Sequence, residues 1–434
     1  MRITVVNQYY PPDLAPTGQL AASLAQHRAA RGDEVTVLTS SARYAASGPT
    51  AADAAPPSGA ARGLGEPRVV RVSGARLAAT SILARARQYI AFYRGVSRQL
   101  KRLPPQDVVI ALTTPPYIAR LCVRHKRRHP ATRLILWHMD AYPDILEAAG
   151  LIRPGGWTAR LLARGTRRLL GQVDHVVCLD QAMRELVERS YAPPGLPISV
   201  IPNWERAELF PDDDPPPPWP ARERLRLAGR FVLLYMGNAG WGHAFRTVLE
   251  AAEQLRDEPV TLLFVGGGSQ HGPLAAEVAR RGLEHVVFHP YVPESERRSV
   301  LASADLALVT LDERALGVMS PSKLHACLAM RLPVLYVGPA GSNVDEAIAR
   351  FGCGLSLRED QPARIAQLLR ELRADPRRLA ELRQRARQAF DAAYCDRQTL
   401  AQFDAVISSL HPAPPPITGP TEPAIGAGPR SSPR

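Results

Sequence analysis

Three glycine-bearing turns and one isolated lysine are the parts of this chain best suited to holding an anion. An apolar run at 232–235 leads into Met236, Gly237, Asn238, Ala239, Gly240, Trp241, Gly242 and His243, and a helical pattern opens near 245. Glycines allow backbone N–H groups to approach a phosphate closely, and the helix that follows adds a favourable dipole. From that loop His243 could donate to a phosphate oxygen. The next apolar run, 261–265, ends in Gly266, Gly267, Gly268 and Ser269, a second place for close backbone approach. The spacing is not that of a dinucleotide fingerprint, and no acidic residue closes the second run. Near the N-terminus, the run 3–6 is followed by Gly18 at the start of an amphipathic helix, which repeats the arrangement. Lys323 is one of only three lysines and follows Pro321 and Ser322 at another helix start. A phosphate partner suits it, while Ser322 is either a cap or a ligand.

A different chemistry is carried by His138 and Asp140, which follow the apolar run 134–137. Ligands of open α/β sheets enter at the carboxyl ends of strands, so both residues would face the crevice. His138 could polarise or orient an acceptor hydroxyl, with Asp140 accepting its hydrogen bond. Alternatively, Asp140 caps the next helix and His138 packs between strands. Nucleophile elbows, Walker loops and zinc-protease motifs are absent from the sequence. Five scattered cysteines, none spaced C-x-x-C, read as small buried hydrophobes.

The elements that must position these residues alternate regularly. Apolar runs recur at 3–6, 35–38, 69–72, 108–112, 134–137, 175–179 and 199–201, then at 232–235, 261–265, 286–289, 306–309, 334–337 and 354–357. Helical patterns separate them, so two doubly wound parallel sheets are the simplest packing. Residues 212–220, with three Asp followed by four Pro, Trp and Pro, can continue neither helix nor central strand. This predicts a domain at 1–205, a linker at 206–220, a second domain with C-terminal helices at 221–410, and a disordered Pro/Gly-rich tail at 411–434. A further Ala/Gly/Pro/Ser-rich stretch at 45–66 is expected to be flexible.

Charge is divided unevenly between the halves. Residues 1–205 hold 27 Arg and Lys against 14 Asp and Glu, whereas residues 206–434 hold 27 against 27. The whole net charge of +13 therefore belongs to the first half. An anionic partner is implied, and the absence of any recognition motif or aromatic platform argues against nucleic acid. A basic amphipathic helix is expected where Arg85, Arg87, Arg94, Arg98, Lys101 and Arg102 interleave with Ile82, Leu83, Tyr89, Ile90, Phe92 and Tyr93. It would lie on an anionic bilayer or pack one face on the core. No signal peptide or spanning run is seen, so the expectation is a cytoplasmic protein, peripheral on the inner face of the plasma membrane.

Together these residues resemble the retaining GT-B glycosyltransferases of family 4, in the bacterial branch that builds O-antigen, capsule or exopolysaccharide units. The landmarks are Tyr9, Tyr10, Pro11 and Pro12 with Gly18; Trp137, Asp140, Tyr142 and Pro143; Pro202, Asn203 and Trp204; Gly237, Asn238, Gly240 and His243; residues 264–268; and Pro321, Ser322 and Lys323. The resemblance, over about residues 1–408, implies a Rossmann-like acceptor-binding domain facing a Rossmann-like nucleotide-sugar-binding domain. It also implies no metal ion, no cofactor besides the donor as co-substrate, and retention at the anomeric carbon. Asn238 and His243 stand where many members carry Arg and Lys. The Glu-x7-Glu motif, aligned with 318–326, lacks both glutamates, which leaves Glu346 as a candidate donor ligand. The donor, UDP-linked in this reading, would contact Gly18, Asn238, Gly240, His243, Gly267, Ser322, Lys323 and Glu346. Asp140, His138 and Lys323 would carry catalysis, with a polyprenyl-diphosphate-linked saccharide as acceptor. A nucleotide-sugar epimerase or hydrolase, or a degenerate binding subunit, stays open as the alternative.

Overall fold

The computed structural model describes residues 1–13, 15–41, 65–72 and 82–411, with the side chains of 82–86 left out. Most of the stretch 45–66 and all but the first residue of the tail thus lie outside the described residues. The first sheet contains β1 (Arg2–Val6), β2 (Glu34–Ser40), β3 (Arg68–Val72), β4 (Val108–Leu112), β5 (Arg133–His138), β6 (His175–Cys178) and β7 (Ile198–Val200), in the order β3-β2-β1-β4-β5-β6-β7. Between its strands run α1 (Pro16–Ala30), α2 (Ile82–Arg102), α3 (Ala119–Arg128), α4 (Asp144–Ala148), α5 (Trp157–Leu170) and α6 (Gln181–Ser190). All pairings are parallel. Helices cover both faces of such a sheet, which is why central strands such as β4, Val-Val-Ile-Ala-Leu, are apolar and buried throughout.

The second sheet repeats the plan with β8 (Phe231–Asn238), β9 (Val260–Gly267), β10 (Val286–His289), β11 (Leu306–Thr310), β12 (Val334–Val337) and β13 (Gly354–Leu357), in the order β10-β9-β8-β11-β12-β13. Its helices are α7 (Ala221–Arg224), α8 (Arg246–Glu253), α9 (His271–Arg281), α10 (Arg297–Ala302), α11 (Lys323–Ala329), α12 (Asn343–Phe351), α13 (Pro362–Ala374) and α14 (Pro376–Ala389), with α15 (Asp396–Leu410) last. Each of the thirteen apolar runs has become a strand. β8 and β9 extend further than their apolar runs, into the glycines, because Gly237 pairs with Gly266 and Asn238 with Gly267.

One expectation is corrected. The last helix, α15, does not join the second domain. Leu400, Phe403, Val406 and Ile407 are buried in the first domain's core, where Phe403 meets Trp137 edge-on at 4.6 Å and Trp137 stacks on Trp204 at 5.5 Å. Asp404 fixes the crossing through Arg28 at 2.6 Å and His27 at 2.8 Å. In the exposed linker, Asp212 pairs with Arg387 and Arg331 and Asp214 with Arg298. Of the two readings of α2, packing one face on the core is the one observed: Phe92, Val96 and Leu100 are buried there. Of its large apolar side chains that are described, Ile90 is the exposed one.

The domains also touch across the carboxyl edges of their sheets. The Ala141 amide donates to the Val318 carbonyl at 2.9 Å, and Asp140 forms an isolated antiparallel bridge with Met319. Asp180, after β6, caps α6 by accepting from the Met183 amide at 2.8 Å, and the Ser320 hydroxyl of the second domain is near enough to favour its charged form. Gly317 has φ +72°, and a Cβ there would come within 2.8 Å of the Ala182 carbonyl oxygen, so the approach requires glycine. A second tie pairs Arg297, on α10, with Glu205, at the end of the first domain. Two substitutions test these contacts. Phe403→Ala should lower stability by about 3–5 kcal/mol in a denaturant titration, the usual loss for a fully buried Phe. Asp180→Ala should cost about 1 kcal/mol as a lost cap and enlarge the radius of gyration in X-ray scattering. An unchanged radius would show that this carboxylate does not hold the domains together.

Candidate functional site

At the carboxyl edge of the second sheet the two glycine turns lie against each other. Gly237, Gly266 and Gly268 have φ of +126°, +138° and +120°. A Cβ at Gly266 would overlap the Gly237 carbonyl oxygen, and one at Gly268 would overlap Asn238. Only glycine lets both strands run side by side to this point. The turn is then pinned by the Ala239 amide on Gly267 O at 2.6 Å and by the Gln270 side-chain amide, which donates to the carbonyls of Gly240 and His243.

Lys323 crosses beneath this turn from the start of α11. Its Cε would be 3.1 Å from a Cβ at Gly237, its Nζ lies 4.8 Å from the Tyr235 ring centre, and it is 3.0 Å from His243 Nε2. His243 Nδ1 is 2.7 Å from the carbonyl oxygen of Thr310, the last residue of β11. A carbonyl only accepts, so the ring proton sits on Nδ1 and Nε2 accepts from the ammonium. Burial, then the neighbouring Lys323 charge, holds His243 down at about 3, so the ring stays neutral. This departs from the expected phosphate-donating histidine, because Nε2 carries no proton to offer. Burial also lowers the Lys323 pKa to about 7. No carboxylate pairs with it among the described residues.

The other expected donor residues differ in what they present. Gly18 is buried in the first turn of α1, where its N–H already donates to Ala15 O at 2.9 Å and a Cβ would lie 3.0 Å from the Tyr9 backbone. It serves close packing of helix on strand end. Asn238 closes β8, Gly240 lies next to its side chain, and a Cβ on Gly267 would meet Tyr291 at 2.9 Å. Ser322 precedes α11 with an exposed side chain that caps nothing, which removes the purely structural reading. Glu346 is an exposed carboxylate in the first turn of α12. Partial burial and then the charge of Asp180, across the domain boundary, raise its pKa.

On the first domain, His138 and Asp140 part company. Both ring nitrogens of His138 lack a hydrogen-bond partner, and burial lowers its pKa to about 4. The expected His138–Asp140 hydrogen bond is therefore not formed. The strand ends at His138, and Thr113 Oγ1 then accepts from the amides of both Met139 and Asp140 at 3.1 Å, turning the chain. His138 consequently lines a small apolar cavity with Thr113, Tyr117, Tyr142 and Thr166, while Asp140 meets the second domain at Met319. Asp140 does not cap α4, and burial raises its carboxyl to about 6. Asp180, Ser320, Thr310, Tyr235 and Gln270 join the site without having been singled out in the sequence. Asp180 and Thr310 could have been found from their position alone, at carboxyl ends of apolar runs.

Comparison with known proteins agrees with this architecture. Residues 17–204 match the "Glycosyl transferase 4-like domain" family model and residues 230–375 match "Glycosyl transferases group 1". The probable glycosyltransferase WbjE of Pseudomonas aeruginosa is 27% identical over 54% of this chain and 58% of its own length. The putative colanic acid biosynthesis glycosyl transferase WcaI of Escherichia coli is 29% identical over 46% of this chain and 49% of its own. The chain thus spans about half the length of the curated relatives it matches. Among solved structures, Anabaena Alr3699/HepE in complex with UDP-glucose superposes with a TM-score of 0.67 at 15% identity, covering 94% of this chain and 100% of that one. Two parallel Rossmann-like sheets facing across a cleft, with both domain models in sequence order, make this chain a member of the GT-B glycosyltransferases of family 4.

Proposed function

We propose that the protein moves a sugar from a UDP-linked donor to a polyprenyl-diphosphate-linked saccharide, with retention, in the assembly of a surface polysaccharide. The observation that carries this reading is Lys323, a cation without a carboxylate partner among the described residues, held by His243 and Tyr235 under two glycine turns. A nucleoside diphosphate supplies the missing anion. The UDP-glucose bound by HepE and the colanic acid context of WcaI support the donor and pathway classes. The acceptor class is supported by the positive first domain and by Asp140 at its carboxyl edge.

In the transfer, the bond from the anomeric carbon to the diphosphate breaks and a bond to the acceptor oxygen forms on the same face. The acceptor proton passes to the departing diphosphate oxygen. Lys323 stabilises the charge that grows on that diphosphate, where a fixed cation in a water-poor site acts most strongly. His243 orients Lys323 through Nε2 and stays neutral, adding no competing positive charge. Asp140 accepts a hydrogen bond from the acceptor hydroxyl, and Thr113, which accepts from the Asp140 amide, is the residue that positions it. The backbone at Asn238, Gly240 and Gly267 meets the diphosphate, Gly18 lets α1 approach from the opposite domain, and Ser322 and Glu346 hold hydroxyls of the donor.

Incubation with a panel of nucleotide sugars tests the whole reading: slow donor hydrolysis to UDP is expected, whereas epimer formation or inertness with tight binding would replace it. Lys323→Ala should reduce turnover by a factor on the order of a hundred or more with an unchanged circular dichroism spectrum. Because burial lowers the Lys323 pKa to about 7, UDP affinity should fall as pH rises from 7 to 9. The slope should approach about tenfold per unit, measured by titration calorimetry. Lys323→Gln should bind weakly with no such slope, and an equal slope in both proteins would remove the lysine from the diphosphate site.

A further inference from the structure

The basic surface of the first domain is assembled from three neighbouring helices. α2 packs on α3 and α3 on α5, since the crossovers β3 to β4, β4 to β5 and β5 to β6 run in one direction across the sheet. Right-handed crossovers in one direction place their helices on one face. The three helices carry six, five and four Arg or Lys and no Asp or Glu. Among the described residues the one ion pair these cations make is Lys126 with Asp174 at 2.7 Å.

Exposed apolar side chains gather at one end of this face. Trp157 is 76% exposed, Leu151 71% and Leu161 57%. Trp157 and Leu161 stand one turn apart on α5, Leu151 lies in the segment leading into it, and Arg153, Arg160 and Arg164 are exposed beside them. The helix does not need these residues for its core, because it buries Ala159, Thr166, Leu169 and Leu170 instead. α5 follows β5, so its first turn stands at the sheet edge that carries Asp140. Thr166 Oγ1 ties the helix to that edge by donating to the Tyr142 carbonyl at 3.0 Å.

We propose that Leu151, Trp157 and Leu161 insert into an anionic phospholipid surface while the arginines of α2, α3 and α5 meet its headgroups. A Trp and two Leu ringed by Arg match the interface of a bilayer, where an indole sits at headgroup level and cations neutralise lipid phosphate. A second copy of this chain fits poorly, because a two-fold contact would set these Arg side chains against their own symmetry mates. The proposal rests on the lipid-linked acceptor reading, and it relocates the membrane contact from α2, whose apolar stripe is in the core, to the start of α5. Seated there, the domain presents its Asp140 edge at the membrane, where a lipid-linked acceptor arrives.

The test uses the full chain and sedimentation with vesicles of phosphatidylcholine alone or with about 30% phosphatidylglycerol at low salt. Wild-type protein should bind the anionic vesicles and not the neutral ones. Trp157→Ser combined with Leu161→Ser should weaken that binding by on the order of tenfold or more, with an unchanged circular dichroism spectrum and unchanged turnover on a water-soluble saccharide acceptor. Equal binding by the double variant, or no wild-type binding, overturns the proposal. So does a wild-type dimer that the double variant converts to monomer, since the patch would then be an interface between copies. Failure of the transferase reading looks different: no turnover on the soluble acceptor, with vesicle binding intact.

Discussion

A lysine held beneath glycine turns, with a neutral imidazole and an aromatic face for company, is the constraint that organises the second domain. Moving an ammonium out of water is unfavourable, and the lowered pKa of Lys323 expresses that. A nearby carboxylate would relieve it and would also repel a diphosphate. The site instead supplies the Tyr235 ring, the lone pair of His243 and the Asn238 carbonyl at 3.4 Å. Each partner stabilises the cation partially and leaves its charge unneutralised. The neighbouring strand ends follow from this, because Gly237 must lack a side chain for the lysine stem to pass and Gly266 must lack one for Gly237 to be where it is.

The position of Lys323 is coupled to domain closure. Only a few residues separate it from Gly317, Val318, Met319 and Ser320, the segment that touches Ala182, Ala141, Asp140 and Asp180 of the first domain. Separation of the domains would break those contacts and free the approach to α11. The two remaining ties, α15 against the first core and Arg297 with Glu205, lie elsewhere in the molecule. They hold the domains together as a pair while the contacts at 317–320 bear directly on the site. A hinge with a packed base and a polar, breakable mouth is the arrangement that a cleft enzyme needs to admit a donor and then exclude water.

Much of this was legible in the sequence because buried parallel strands read as uninterrupted apolar runs. Val108–Leu112 announces itself, and so does each glycine turn that follows a run. The remainder depends on partners far apart along the chain. The proton on His243 is set by Thr310, 67 residues away, and without that carbonyl the ring reads as a donor. The fate of α15 is equally hidden, since Leu400, Phe403 and Ile407 form an ordinary apolar stripe and only the packed core shows which domain it fills. His138 and Asp140 are two residues apart, a spacing that suggests a shared face until Thr113 turns the chain between them. Asp180 was not singled out because its neighbour across the domain boundary, Ser320, lies far along the chain.

The unequal charge of the two halves fits this division of labour. In the second half, arginines are largely matched by acids: Arg387 and Arg331 by Asp212, Arg298 by Asp214, Arg370 and Arg373 by Glu258, Arg378 and Arg364 by Glu371. Such pairing leaves little long-range field, so Lys323 attracts an anion locally, at contact distance. In the first half the cations of α2, α3 and α5 have no carboxylates among them, and their field extends outward from one face of the sheet. On the proposed reading, a small diffusible donor calls for a precise local cation and an acceptor confined to a surface for a broad one. The two sheets share a topology, and the placement of carboxylates is what distinguishes their tasks.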